Sequence, residues 1–93
     1  MDERPLRERL AEDVGWVERA DLAAHAKRGG LVLVDAALAL LDVAEAIGED
    51  RGEEVAAWIS TGQITRPSAA ELGAETYTAV VVQPYVLAQA LES

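Results

Sequence analysis

The chain has no cysteine and only one histidine, and its 8 basic side chains face 17 acidic ones. Each shortage narrows what it can do. Without cysteine there is no disulfide and no thiolate metal site, which fits a reducing compartment. With His25 as the sole imidazole, a transition-metal site built on several histidines is excluded, and any histidine-activated nucleophile depends on that one residue. The formal charge of −9 disfavours binding to nucleic acid and to anionic membranes. The longest uncharged run, residues 76–91, is interrupted by Gln83 and Pro84 and is too short to span a bilayer. The N-terminus, MDERPLRERL, carries no apolar segment of the signal-peptide type. The expected location is the cytoplasm.

Apolar residues make up 51% of the 93 positions, enough for one modest core, so a single domain over residues 1–93 is expected. The charge is unevenly placed. Residues 1–28 hold seven acids and six bases, whereas residues 35–54 hold seven acids against Arg51 alone, a local net of −6.

That acidic stretch overlaps the clearest pattern in the chain. Over residues 38–62, Leu40, Val43, Ala44 and Ile47 form one helical stripe and Val55, Trp58 and Ile59 a second. Gly48 is read as the stop of the first helix, Asp50 with Glu53 as a capping box for the second, and Gly62 as its C′ residue. Upstream, residues 3–14 read as a helix with Pro5 in its first turn, and residues 18–28 as a second helix ended by Gly29 and Gly30. Asp21 stands one turn before His25 and can hold it, so a structural histidine is expected. Residues 31–34 read as a strand covered on both sides. Downstream, residues 63–66 and 76–83 read as strands, and residues 68–75 as a short helix with a Ser68–Glu71 capping box. Pro84 can open a final helix through Leu91, apolar almost all round. Trp16 and Trp58 are both assigned to the core.

The resulting order is that of an α+β, winged helix-turn-helix-like domain. It is mostly helical, with a small three-stranded antiparallel sheet, an extra N-terminal helix and an apolar C-terminal helix. DNA binding through such a fold makes a DNA-binding transcriptional regulator the first alternative. The first turn of the second motif helix, however, carries Glu53 and Glu54, and Lys27, Arg28 and Arg66 are the only other cations to offer a weak site. A small enzyme with a carboxylate-based site is the second alternative. The acids fall on solvated helix faces, Asp35 reads as a helix cap, and Asp42, Glu45, Glu49 and Asp50 on one helix do not wrap a cation. Gly29-Gly30 precedes a strand rather than following one, so it is no phosphate loop. No cofactor, metal or small-molecule ligand is indicated. The expectation is a non-catalytic protein–protein interaction module whose partner is another protein or a second copy. Gln83, Tyr85, Leu87 and Leu91 on the apolar final helix are the expected interface, with a buried plug as the other role for that helix.

Several ordered pieces carry a family resemblance: Trp16 with His25-x-x-Arg28-Gly29, Leu31-Val32-Leu33-Val34-Asp35, and Leu41-Asp42-Val43-Ala44-Glu45-Ala46-Ile47. They continue with Val55-x-x-Trp58-Ile59-x-x-Gly62 and Val81-Val82-Gln83-Pro84-Tyr85-Val86-Leu87-x-Gln89. In order and spacing the chain resembles the small bacterial proteins of domain-of-unknown-function family 2288, over about residues 6–89. Ala26, where a larger apolar residue is expected, and Gly48 depart from that pattern and leave the fold reading unchanged. The resemblance implies no reaction, cofactor or partner.

Overall fold

The structure, a computed structural model, describes residues 5–91. In chain order its elements are α1 (Leu6–Asp13), β1 (Gly15–Glu18), α2 (Arg19–Lys27), β2 (Leu31–Val34), α3 (Leu40–Gly48), α4 (Gly52–Ser60), β3 (Ile64–Thr65), a 3-10 turn (Ala69–Glu71), β4 (Thr76–Val82) and β5 (Tyr85–Ala90). Residues 3 and 4 of the expected first helix lie outside the described residues.

Three helices end in the same way. After α2, Gly29 takes φ 75°; its N–H donates to the Ala26 carbonyl and that of Gly30 to His25, both at 3.0 Å. After α4, Gly62 takes φ 77°, with Gly62 bonded to Ile59 at 3.1 Å and Gln63 to Trp58 at 2.9 Å. These are Schellman closures. The same closure ends α3, but the left-handed residue is Asp50, at φ 60°. Its N–H donates to Ile47 at 3.2 Å and that of Arg51 to Ala46 at 2.9 Å. The expected roles of Gly48 and Asp50 are therefore corrected. Gly48 is the last residue of α3, and a Cβ there would stand 2.7 Å from the Leu6 side chain, so it lets α1 come close. Asp50 closes α3, and the N-cap of α4 is Arg51, with no side-chain capping bond.

The strands form one five-stranded sheet in the order β1-β4-β5-β2-β3. β2 and β5 are parallel and all other neighbours antiparallel. This overturns the winged helix-turn-helix reading with its three-stranded antiparallel sheet. The decisive difference is at the C-terminus. Gln83 and Pro84 form the turn of a hairpin that pairs Val82 with Tyr85, and the chain returns as β5 rather than as a helix. β5 is the middle strand, inserted with β4 between β1 and β2, so α2 makes a split β-α-β crossover. A middle strand covered on both faces must be apolar on both, which is what made this segment resemble an all-apolar helix. Its one polar member, Gln89, donates from Nε2 to the Asp35 carbonyl at 2.9 Å and also to that of Leu38, tying β5 to the loop before α3.

Alternation along the strands splits the core in two. On one face Val32, Val34, Ile64, Val80, Val82 and Leu87 meet Leu10 of α1 and Leu40, Val43 and Ala44 of α3. On the other, Leu31, Tyr77, Ala79 and Ala88 meet Leu22 of α2 and Leu72. Each fully buried Leu or Val contributes about 1.5–3 kcal/mol. The result is a sheet between two helical layers. Trp16, expected in the core, is instead 78% exposed on β1, which is an edge strand with no helix over that position.

Candidate functional site

α4 repeats the amphipathic pattern of α3 yet contains no buried residue. Its stripe points at the sheet without reaching it. Val55 and Trp58 are half-buried, Trp58 against the core as expected, and Ile59 is 60% exposed. Between α4 and the sheet lies a cleft of about 310 Å³. Ala46 and Ile47 at the end of α3, Val55 and Ile59 of α4, and Val32 and Ile64 of the sheet give it apolar walls. Asp50, Arg51, Gly52, Thr65, Arg66 and Tyr85 make up the rest of its lining.

The two arginines at this cleft are held differently. Arg51 donates to the Glu49 carboxylate at 2.9 and 3.2 Å and to Glu45 at 3.4 Å, with Glu54 at 3.8 Å. These acids, Glu49 first through its hydrogen bond, push its pKa above the ordinary value. Its charge is thus already matched. Arg66 lies with its guanidinium 5.7 Å from the centre of the Tyr85 ring, a cation–π geometry. It donates to the Gly29 carbonyl, and among the described residues no carboxylate is paired with it. Further along α3, Asp42 is paired with Arg7 of α1.

The four residues expected to form an interface do not share a surface. Gln83 is exposed in the β4–β5 turn, and Tyr85 is half-buried at the cleft. Leu87 is 0% exposed in the middle of the sheet and presents nothing to a partner. Leu91, 45% exposed, stands past the far end of β5, roughly 20 Å of strand from Tyr85. His25 lies half-buried on the opposite face of the sheet, in a shallow hollow shared with Asp13 and Asp21. Asp35 accepts the Ala37 N–H at 2.8 Å in a local turn, not at a helix cap. Among the described residues no three His, Asp or Glu side chains are grouped to hold a metal ion, and no helix is long and apolar enough to cross a membrane. The cleft, and Arg66 with Tyr85 at its edge, were not visible to sequence reasoning, because they depend on β5 being a strand.

Fold and site together define a small α+β binding domain, a mixed sheet between helices with one open apolar cleft. The profile of a family of proteins of unknown function (DUF2288) matches residues 5–90, and the chain belongs to that family. A solution structure determined by NMR, that of PA1075 from Pseudomonas aeruginosa, is similar at 34% sequence identity and a TM-score of 0.82, covering 100% of this chain and 92% of that one. No curated protein matches the sequence.

Proposed function

We propose that the protein is a non-catalytic interaction module that receives an apolar segment of a partner protein in the cleft beneath α4. The observation that carries this reading is the stripe of Val55 and Ile59, half-buried and exposed on a helix with no buried residue, facing an apolar stretch of sheet across about 310 Å³. Such a volume is at the lower end of the range for small-molecule pockets, about 300–1,000 Å³, and accommodates one or two side chains. The edge strand β3 runs beside it and offers backbone to an extended segment.

The surrounding charge favours a partner with cations flanking its apolar residues. Glu45, Glu49, Asp50, Glu53 and Glu54 all lie on this side of the molecule, offset by Arg51. Such a field raises the rate of encounter with basic segments and weakens with salt. The same acids oppose DNA. Against catalysis, the one imidazole is on the far side of the sheet and the arginines at the cleft are stacked or ion-paired. A cysteine-free chain suits the reducing cytoplasm.

The test is capture from native cells at low salt with the tagged protein and with Ile59→Asp, a change at an exposed position that leaves the core intact. The expected result is one stoichiometric protein, insensitive to nuclease, retained by the parent and lost by the variant. Identical proteins with both baits would reject the cleft, and recovery of defined DNA would favour a regulator instead.

A further inference from the structure

The two edges of the sheet are unlike. β3 is two residues long and is followed by Arg66 and the buried Pro67, features that blunt an edge. β1 has no such protection. It carries the most exposed large apolar residue described, Trp16 at 78%, and Gly15 beside it has open space around it.

The backbone of β1 is set up for pairing. The Arg19 N–H donates to the Glu75 carbonyl at 2.9 Å, in line with the register Gly15↔Ala79 to Glu18↔Thr76. The hydrogen-bonded pairs of that ladder therefore fall on Gly15, Val17 and Arg19. In an antiparallel ladder the alternate residues turn their N–H and C=O groups the other way. Trp16 and Glu18 thus direct theirs outward, where among the described residues no strand lies.

We infer that β1 is the seam of a homodimer, in which a second copy pairs antiparallel with it, Trp16 opposite Trp16, and joins the two sheets into one. Charge and parity select this register. With Trp16 on the two-fold axis, the outward-turned Val14 and Glu18 meet each other's counterparts, and the ends of the seam bring Asp13 of each copy toward Arg19 of the other. Neither Asp13 nor Arg19 has an ion-pair partner among the described residues of its own chain. Moving the axis to Val17 sets Trp16 against Glu18 and Asp13 against Asp21. Moving it to Gly15 sets Glu12 against Glu18. Both alternatives oppose like charges, which is unfavourable. A directly opposed tryptophan pair also covers the aromatic surface that a lone chain leaves in water.

Sedimentation velocity over the low-micromolar to submillimolar range tests this. The expected result is a monomer–dimer equilibrium that Trp16→Asp abolishes while the circular dichroism spectrum stays unchanged. Asp13→Arg and Arg19→Asp alone each weaken the dimer about tenfold, because each change acts twice across the axis, and the two combined restore it. A chain monomeric at every concentration overturns the proposal. So does a dimer that survives Trp16→Asp, or a double variant no tighter than either single one.

Discussion

α3 and α4 have the same length, nine residues, and both carry an apolar stripe and end in a Schellman closure. They differ in what lies beneath them. α3 buries Leu40, Val43, Ala44 and Ala46, because it packs over β4 and β5, the middle of the sheet. α4 buries nothing. The strand beneath it, β3, ends after two residues, so the sheet runs out before the stripe is covered. A helical pattern thus reports that one side of a helix is apolar, but not that the protein itself supplies the covering surface.

The largest test of this comparison is at the sheet under α3. Leu87→Ala should destabilise the fold by about 2–5 kcal/mol, since it empties a fully buried site. Leu87→Glu should unfold the chain, a carboxylate there having no partner or solvent. Urea denaturation of both variants measures this. A folded Leu87→Glu protein would mean that the middle of the sheet is not where the core lies.

That residue also marks where the sequence stopped being legible. β2, α3, α4, β3, β4 and the capped turn at Ser68 were readable, because period and end signals are local. β5 was not. Tyr85-Val86-Leu87-Ala88 is apolar without a period, and such a run suits a buried helix as well as a middle strand. Pro84 opens a helix as readily as it turns a hairpin. Its arbiter, the parallel pairing of Leu31–Val34 with residues 86–89, is more than fifty positions away. Once β5 was read as a helix, the cleft was lost too, because Tyr85 meets Arg66 only across the sheet. β1 failed for a different reason. Four residues give little pattern, and a tryptophan ordinarily reads as core.

The two helix ends sharpen the comparison at a smaller scale. Gly62 and Asp50 occupy equivalent left-handed positions. Gly62→Ala puts a Cβ where it is disfavoured and should cost about 1–2 kcal/mol. Asp50→Gly relieves the milder strain of an aspartate and should stabilise by about 0.5 kcal/mol. Thermal melts of the two variants should therefore move in opposite directions. A loss of stability in Asp50→Gly would show that the aspartate side chain contributes more than its backbone costs.

Neither α3 nor α4 has a side-chain N-cap bond; the reciprocal box sits on the 3-10 turn instead. There the Ser68 N–H and then its hydroxyl hold the Glu71 carboxylate below its ordinary pKa of 4.5. A lowered folded pKa means that this contribution is present above the ordinary value and lost as pH falls through the folded one. An NMR titration should find Glu71 ionising below its usual range, and Ser68→Ala should move it back up. An unchanged midpoint in that variant would assign the shift to another donor.

The smallest effect is expected at Ile59, and it tests the comparison most directly. In α3 a methyl group removed from the stripe leaves a cavity. In α4 Ile59 already faces solvent over most of its surface, so Ile59→Ala should change stability by no more than about 0.5 kcal/mol. Amide exchange should agree, with α4 opening at lower free energy than α3 because fewer buried contacts hold it. A loss near that of a core truncation would mean that α4 closes onto the sheet in solution, and that the two helices differ less than they do here. A near-zero change would leave the stripe of α4 with no role in folding, so that its apolar residues are accounted for by what they bind.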